Sequence, residues 1–441
     1  MKEPGADAFL RAVPPAMAPL LRAVLEAADS RGLAVFAVGG PVRDWLLERA
    51  IADLDLIVEP RDGEGAEALG RAVAPNALRL RSHDRFGTLS LEGPAGVIDL
   101  ASVRRETYAH PGALPTTEPG SLEEDLRRRD FSVNTLALPL SQAARARHHG
   151  VIDVEDGLRD LAQRRLRVLH PASFHDDPTR ALRAARLAPR LGFTLTRDSR
   201  AALRDALRLG AFGRVSGDRL RHEIEKLFAD AALGLDPKLA LRLLESWHVL
   251  GALEPGLLLP RTAHAPLRRL GRAVLAPPWR RGRWRIWVSG LALWLAPLSP
   301  ALRRRTLARF AVRGALVETV SGFAKRSEEK LRALARARGR GAIDAALVDL
   351  DEEVLHALWA AAAPAARRRV ARFAGEDRGR RAPVSGADLL AMGLSGPDIG
   401  RALARIRVAF LDGAVRTREE AVALARELGA RRRRRGGGPR L

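Results

Sequence analysis

The sequence predicts an α+β protein: an N-terminal head with a small mixed β-sheet and helices, followed by an elongated all-α remainder. Three observations lead there. Strand-like runs alternate with helix-like ones at the start of the chain, strand signals cease near Leu140, and beyond that point apolar residues recur at three- and four-residue spacing.

The candidate strands are Leu33–Val38, Leu54–Val58, Phe86–Leu91 and Val97–Val103. The turn-forming Gly93-Pro94-Ala95-Gly96 joins the last two as a hairpin. Ala181–Leu191, Ser199–Leu209 and Asp218–Phe228 have the period of amphipathic helices. The Pro- and Arg-rich stretch Leu253–Arg283 is expected to hold a subdomain boundary. The longest apolar run, Ile286–Leu298, is shorter than the roughly 20 residues that span a bilayer and is closed by Pro297, so it predicts a core helix and no membrane association. From Arg431 the chain ends in a low-complexity basic tail, expected to be disordered. No fixed-period repeat points to a solenoid.

With 441 residues, 46% of them hydrophobic, the chain has the means to build two or more cores. It has no Cys, which excludes disulfides and thiolate metal sites and leaves any metal to Asp, Glu or His, the donor set of a hard cation such as Mg²⁺. Acidic residues interrupt the N-terminal apolar positions, so no signal peptide is read there and a cytoplasmic location is expected. Lys+Arg exceed Asp+Glu by 75 − 52 = 23. Such a surplus favours a polyanionic partner. Lys occurs only at Lys2, Lys226, Lys238, Lys325 and Lys330. A GC-rich genome explains that preference for Arg over Lys, but not the surplus itself.

Phe36-Ala37-Val38-Gly39-Gly40-Pro41-Val42-Arg43-Asp44 reads as a strand entering a tight glycine turn and then a helix with Pro41 at its first position. Gly39 and Gly40 let a backbone approach a triphosphate, and Arg43, one turn in, adds charge. By itself the segment reads equally well as a plain strand-to-helix turn. It is followed by Asp53-Leu54-Asp55-Leu56-Ile57-Val58, where alternation puts both carboxylates on one face and Leu54, Leu56 and Val58 on the other. At about 4 Å and an effective dielectric of roughly 20 two such charges repel by about 4 kcal/mol, which a cation or solvent must relieve. Asp99, in the apolar run Val97–Leu100, is either a third acid beside them or a buried structural Asp. Three carboxylates beside a phosphate-binding turn suit two Mg²⁺ ions and nucleotidyl transfer.

These residues resemble the nucleotidyltransferases of the DNA polymerase β superfamily, and within it the class II tRNA CCA-adding enzyme and bacterial poly(A) polymerase family. The family's GG-x-V-R-D stands here as Gly39-Gly40-Pro41-Val42-Arg43-Asp44, and its D-x-D as Asp53-Leu54-Asp55. Its D-L-x-R-R-D-F-T-x-N stands as Asp125-Leu126-Arg127-Arg128-Arg129-Asp130-Phe131-Ser132-Val133-Asn134, with Ser132 keeping the hydroxyl of Thr. G-L-x-D-L appears as Gly157-Leu158-Arg159-Asp160-Leu161, and E-D-x-x-R as Asp176-Asp177-Pro178-Thr179-Arg180, with Asp176 in place of Glu and Arg183 and Arg186 following. The resemblance runs from about Val35 to Asp230.

The resemblance implies Asp53 and Asp55 as metal ligands and Arg128, Arg129, Asp130 and Asn134 as nucleotide contacts; Asp99 is the further catalytic acid that its strand context suggests. The resemblance further implies Asp177 and Arg180 as the pair that reads the base edge. Arg183 and Arg186 would contact the triphosphate or hold the neck together. By local sequence alone Asp177, ahead of Pro178, is a helix N-cap. The stretch from Arg104-Arg105-Glu106-Thr107-Tyr108 to Gly120 resembles the family's mobile loop. Val215-Ser216-Gly217-Asp218-Arg219-Leu220 resembles a helix-start motif in which Ser216 caps and Arg219 faces RNA. The ten His residues show no zinc or phosphohydrolase spacing, and none is assigned a catalytic role.

The expected organisation is a nucleotidyltransferase head over residues 1–145, a base-selecting neck over 146–230, a helical body and tail that bind RNA over 231–430, and the basic tail 431–441. The expected activity is addition of CCA, or its terminal A, to the 3′ end of tRNA from CTP and ATP with Mg²⁺. The alternatives are poly(A) polymerase, a CC-only or A-only activity, and an RNA-binding protein without catalysis. Arg85-Phe86-Gly87-Thr88-Leu89-Ser90 lacks an arginine-rich poly(A)-type signature, the Tyr108–Gly120 stretch argues against CC-only addition, and the intact Asp53 and Asp55 argue against a dead enzyme.

Overall fold

The computed structural model describes residues 5–83, 88–94, 96–107, 116–273, 278–279 and 285–436. The chain divides into two compact units, Met1–Ser216 with Trp247–Ala252, and Gly217–Ser246 with Leu253–Leu441.

In the first unit the strands are β1 (Ala34–Val38), β2 (Leu54–Glu59), β3 (Arg79–His83), β4 (Thr88–Gly93), β5 (Gly96–Ser102), β6 (Arg104–Thr107), β7 (Thr116–Pro119), β8 (Ala137–Pro139), β9 (Arg165–Leu166) and β10 (Thr194–Leu195). Six of them form one mixed sheet in the order β3-β4-β5-β2-β1-β8. Its pairs are antiparallel except β2 with β5. The expected hairpin is present, with Gly93 paired to Gly96. β3 and β8 were not expected, nor were β6 and β7, which form a separate antiparallel ladder at the base of the stretch expected to be a mobile loop. Tyr108 to Pro115 of that stretch, and Arg85-Phe86-Gly87, lie outside the described residues.

The helices of this unit are α1 (Ala6–Ala12), α2 (Ala18–Asp29), α3 (Gly40–Leu46), α4 (Ala66–Val73), α5 (Leu122–Arg127), α6 (Gln142–Arg145), α7 (Gly157–Ala162), α8 (Ser173–Asp176), α9 (Thr179–Leu191) and α10 (Arg197–Arg208). Strand alternation divides the sheet into unequal faces. One carries Val35, Ala37, Leu54, Leu56, Val58, Leu89, Leu91, Ile98 and Leu100, buried with residues of α1 to α4 such as Phe9, Leu21, Val42 and Leu69. The other has a smaller apolar cluster, Ala34, Phe36, Val38 and Ile57 with Leu122 and Leu126 of α5 and Ala144 of α6. On this second face β2, β5 and β4 place Asp55, Asp99 and Ser90 in register.

Close packing fixes α7. A Cβ on Gly157 would collide with the carbonyl of Ser132 and lie 3.0 Å from Leu136, so glycine is needed where the helix meets the Ser132–Asn134 turn. Asp153 stands in as its cap, accepting from the N–H groups of Gly157 at 2.7 Å and Leu158 at 2.9 Å.

The second unit is wholly helical among the described residues, beginning with α11 (Gly217–Ala229) directly after Ser216. The apolar run after Ile286 is a core helix as expected, Ile286–Leu295, buried from Val288 onward. No helix of the described residues is long and apolar enough to cross a membrane. The stretch Leu253–Arg283 lies inside this unit, where Leu257, Leu259, Leu267 and Leu270 are buried. The basic run from Arg431, expected to be disordered, extends the last helix, Arg418–Gly436, because it continues a helical segment without a breaker until the glycines. Residues 437–441 lie outside the described residues.

Gly290 sits inside the helix Ile286–Leu295, where a Cβ would run into the Phe228 ring of α11. Ala gains about 1 kcal/mol over Gly in a helix interior. Overpacking a buried rigid ring costs about 1–3 kcal/mol. The clash should win, so Gly290→Ala is expected to lower the urea midpoint of the chain, and a raised midpoint would show that Phe228 yields.

Candidate active site

The glycine turn forms where β1 leaves the sheet. Gly39 has φ +70°, a left-handed value that favours glycine, and its N–H donates to the Leu136 carbonyl at 2.9 Å. A Cβ there would lie 2.8 Å from Nη1 of Arg129, so the absent side chain leaves room for that guanidinium. α3 starts at Gly40, one residue earlier than expected, with Pro41 in its first turn.

Asp55 and Asp99 are paired across the parallel β2–β5 ladder, and Ser90 faces Asp99 across β4–β5. The expectation that Asp99 stands beside the Asp-x-Asp strand is therefore met. Asp53 differs from expectation: it is exposed and lies in a bend one residue before β2, because the ladder with β5 begins at Leu54. Burial pushes the Asp55 carboxyl up to about 6, against the lowering influence of Arg129; Asp99 and Asp53 raise it further, and Arg43 lowers it. An acid destabilised by burial and by two neighbouring carboxylates fits an oxygen-ligated divalent cation. Among the described residues no group of three His, Cys, Asp or Glu forms a ready-made metal cage. The donors available are thus Asp55, Asp99 and the exposed Asp53.

Behind these acids lies a network of arginines and carboxylates. Asp125 has no exposed surface; its Oδ1 accepts from Arg128 Nε and Nη2 at 3.0 and 2.7 Å, and its Oδ2 from Arg129 Nη2 at 3.0 Å. Burial would raise this carboxyl, but Arg129 and Arg128 outweigh it and hold it below the ordinary range. Arg128 also donates to Glu106 of β6 at 2.7 Å.

Arg43, expected to face phosphate, is 4% exposed and committed within the protein. Its Nε and Nη2 donate to Asp44 at 2.8 and 2.6 Å and its Nη1 to Asn134 Oδ1 at 2.5 Å. Asn134, expected to contact the nucleotide, uses both ends of its amide, since Nδ2 donates to Asp130 Oδ1 at 2.8 Å. Asp130 also accepts from the Phe131 N–H and pairs with Arg183 at 3.6 Å. Burial would raise the Asp130 carboxyl, but Arg183, the Asn134 amide and Arg180 hold it low.

The expected base-reading pair is buried: Asp177 is 6% and Arg180 3% exposed. Asp177 does cap α9, with Oδ1 accepting from the Thr179 N–H at 3.0 Å and Oδ2 from Arg183 at 2.8 Å. Arg180 donates to Ser173 Oγ and, at 3.0 Å, to the Arg128 carbonyl. Arg183 therefore joins the neck motif to Asp130, and Arg186 lies half-buried further along α9. Asp176, the shortened first acid of its motif, has His170 and His175 nitrogens at 3.8 and 3.7 Å. Ser132 donates to Asp160 at 2.6 Å, and so does Arg167 at 2.7 Å, which ties the Gly157–Leu161 motif to the Asp125–Asn134 motif.

Sequence reasoning missed Ser90, Glu106 and Ser173. Ser90 was within reach, since counting outward from the Gly93–Gly96 turn sets it opposite Asp99. Glu106 and Ser173 gave no signal, because their arginine partners carry nothing that marks which acid or hydroxyl they will meet.

Residues 35–167 match the Poly A polymerase head domain family. The chain is 32% identical over 421 residues to the A-adding tRNA nucleotidyltransferase of Geobacter sulfurreducens, covering 92% of this chain and 46% of that one. It is 42% identical over 221 residues to the CC-adding tRNA nucleotidyltransferase of Deinococcus radiodurans, covering 50% and 55%. The chain spans about half the length of the curated relatives it matches. Among solved structures, a CCA-adding enzyme in apo form superposes with a TM-score of 0.72 at 26% identity over 96% of this chain and 98% of that one. The Thermotoga maritima CCA-adding enzyme complexed with tRNA does so at 0.67 and 25% over 98% and 99%.

Two outcomes test this geometry. Asp125 contributes stability that is complete above its ordinary pKa of 3.8 and is lost as the pH falls through its lower folded value. Asp125→Ala should cost about 3 kcal/mol at neutral pH by removing the carboxylate that Arg129 and Arg128 share, Arg128 keeping Glu106, and Asp125→Asn should flatten the acid limb of stability against pH, both followed by denaturant unfolding. Asn134→Asp replaces a donor to Asp130 with a second acid. It should lower the melting temperature more at pH 8 than at pH 4, whereas equal shifts would mean that the amide does not bridge Arg43 and Asp130. Residues 35–167 thus match the Poly A polymerase head domain family, and the chain is similar in sequence and fold to CCA-adding and A-adding tRNA nucleotidyltransferases.

Proposed function

We propose that the chain is a template-independent RNA nucleotidyltransferase that adds CCA, or its terminal A, to the 3′ end of tRNA from CTP and ATP, releasing pyrophosphate. The observation that carries this reading is the registered pair Asp55 and Asp99 on the open face of the sheet, next to the Gly39 turn. The names of the relatives support tRNA over a general poly(A) substrate. A net charge of +23 supports a polyanionic partner, and kinship with tRNA-processing enzymes supports a cytoplasmic site of action.

In this reading residues 1–145 are the catalytic head, 146–230 the base-selecting neck, and the helices after 231 hold RNA. Asp53, Asp55 and Asp99 would hold Mg²⁺, which when bound supplies acidification of the attacking hydroxyl and charge neutralisation of the triphosphate. The RNA 3′-hydroxyl attacks the α-phosphate in line, and positioning with electrostatics suffices without a covalent intermediate. Gly39 and Gly40 admit the triphosphate backbone closely, and Arg129 leans over that turn as its nearest guanidinium. Arg43, Asn134 and Asp130 hold the turn and the neck motif in register. For Asp177 and Arg180 to read a base edge, their bonds to Thr179, Arg183, Ser173 and the Arg128 carbonyl must be exchanged for bonds to the base.

The test supplies Mg²⁺, labelled CTP and ATP to tRNA lacking its last three nucleotides, tRNA lacking only the final A, and a generic RNA. Addition of three nucleotides to the first supports full CCA synthesis, extension of the second alone supports A addition, and long adenylate tracts on the generic RNA would favour poly(A) polymerase. Asp55→Asn should lower turnover by at least a hundredfold while leaving tRNA affinity in a filter-binding assay unchanged, and undiminished turnover would overturn the reading.

A further inference from the structure

We propose that Ser90 is a positioning residue that sets the orientation of Asp99 towards the cation site. This rests on the reading of Asp55 and Asp99 as cation ligands given above. The Ser90 hydroxyl donates to Asp99 Oδ1 at 2.5 Å, and the two residues are direct partners across the β4–β5 ladder. Asp55 is the partner of Asp99 on the opposite side, across β2–β5. Asp99 therefore has a carboxylate on one flank and a hydroxyl donor on the other, all three on the sheet face away from the main core.

That arrangement does two things. It engages one lone pair of Oδ1 and leaves Oδ2, untouched by Ser90, to serve a cation shared with Asp55. It also draws Asp99 towards β4, away from Asp55, so the two carboxylates are kept from full mutual repulsion before a cation arrives. A like-charge pair in a half-buried setting has every incentive to turn one member out to solvent. A charge-assisted bond from a short side chain on a rigid strand removes that freedom, because Ser has a single rotatable bond before its hydroxyl and the strand pairing fixes its Cα. Sites built on strands and supported by neighbouring hydrogen bonds hold their ligands tightly.

The consequence is a loss of cation affinity when the hydroxyl is removed, without loss of fold. Val matches Thr in shape with a methyl in place of the hydroxyl, and both favour strands, so Ser90→Val keeps the sheet while deleting the donor and Ser90→Thr is its matched control. Ser90→Thr keeps the donor. Mn²⁺ binding to the full chain, titrated by loss of the free-ion electron paramagnetic resonance signal, should weaken about tenfold in Ser90→Val, in line with a lost hydrogen bond to a charged group. Ser90→Thr should restore it, the melting temperature of all three proteins should agree, and tRNA affinity should not move. The same tenfold shift should appear in the Mg²⁺ concentration for half-maximal turnover.

Ser90→Val binding Mn²⁺ as tightly as the parent, while Asp99→Asn binds it weakly, would overturn the role of Ser90 and leave the cation site standing. If neither Asp55→Asn nor Asp99→Asn weakens Mn²⁺, the site itself is wrong and the role of Ser90 falls with it.

Discussion

A carboxylate without exposed surface must be neutralised or paired, and in Asp125 the pairing organises everything around it. Its two oxygens divide between Arg128 and Arg129, adjacent residues whose side chains then serve different neighbours. Arg129 lies against the Gly39 turn and is the strongest counter-charge to the raised carboxyl of Asp55. Arg128 reaches Glu106 on the β6–β7 ladder, while its carbonyl accepts from Arg180 of the neck motif. One buried acid within the short helix α5 therefore ties together the acidic strands, the β6–β7 ladder and the start of α9. Removing it would take a buried counter-charge from two guanidiniums at once, with Glu106 still beside Arg128.

The sheet explains why the acids can sit where they do. Its better-packed face absorbs the apolar alternates of β1, β2, β4 and β5 together with four helices, and that burial supplies most of the driving force for the head. The opposite face is covered by apolar side chains only around β1, β8 and the end of β2. Asp55, Asp99 and Ser90 lie on this face, so their desolvation is charged against a sheet already stabilised from behind. A raised pKa at Asp55 is the trace of that arrangement.

Much of this was legible in the residues. Alternation in Asp53–Val58 and Val97–Val103 is strong because every second residue is aliphatic, and Gly93-Pro94-Ala95-Gly96 fixes the hairpin, so the register of Ser90 with Asp99 follows by counting. The strands that escaped lack such marks: β3, Arg79–His83, is mostly polar, and β8, Ala137–Pro139, is three residues long and ends in proline. Asp53 was misplaced by a single residue because alternation gives a face but not the point where pairing begins. The partners of Arg43 and Asn134 escaped for a different reason. A guanidinium in a glycine-turn motif reads as a phosphate ligand, yet nothing in sequence reveals that Asp44 and Asn134 will claim its nitrogens.

The same self-sufficiency bears on how a protein without a template would choose a base. Asp177 and Arg180 are not open hydrogen-bonding edges; each is buried with hydrogen-bond partners, although Arg180 Nε has none among the described residues. An incoming base that offers matching donors and acceptors can replace those partners at little net cost, since one set of hydrogen bonds is exchanged for another. A base that cannot match them leaves buried polar groups unpaired, and such groups cost about 1–3 kcal/mol each. If Asp177 and Arg180 read the base as proposed, discrimination would arise from the penalty on the wrong base more than from attraction to the right one, and would depend on Ser173, Arg183 and the Arg128 carbonyl taking the side chains back. On that proposal the network behind Asp177 and Arg180 would set specificity as much as the pair itself.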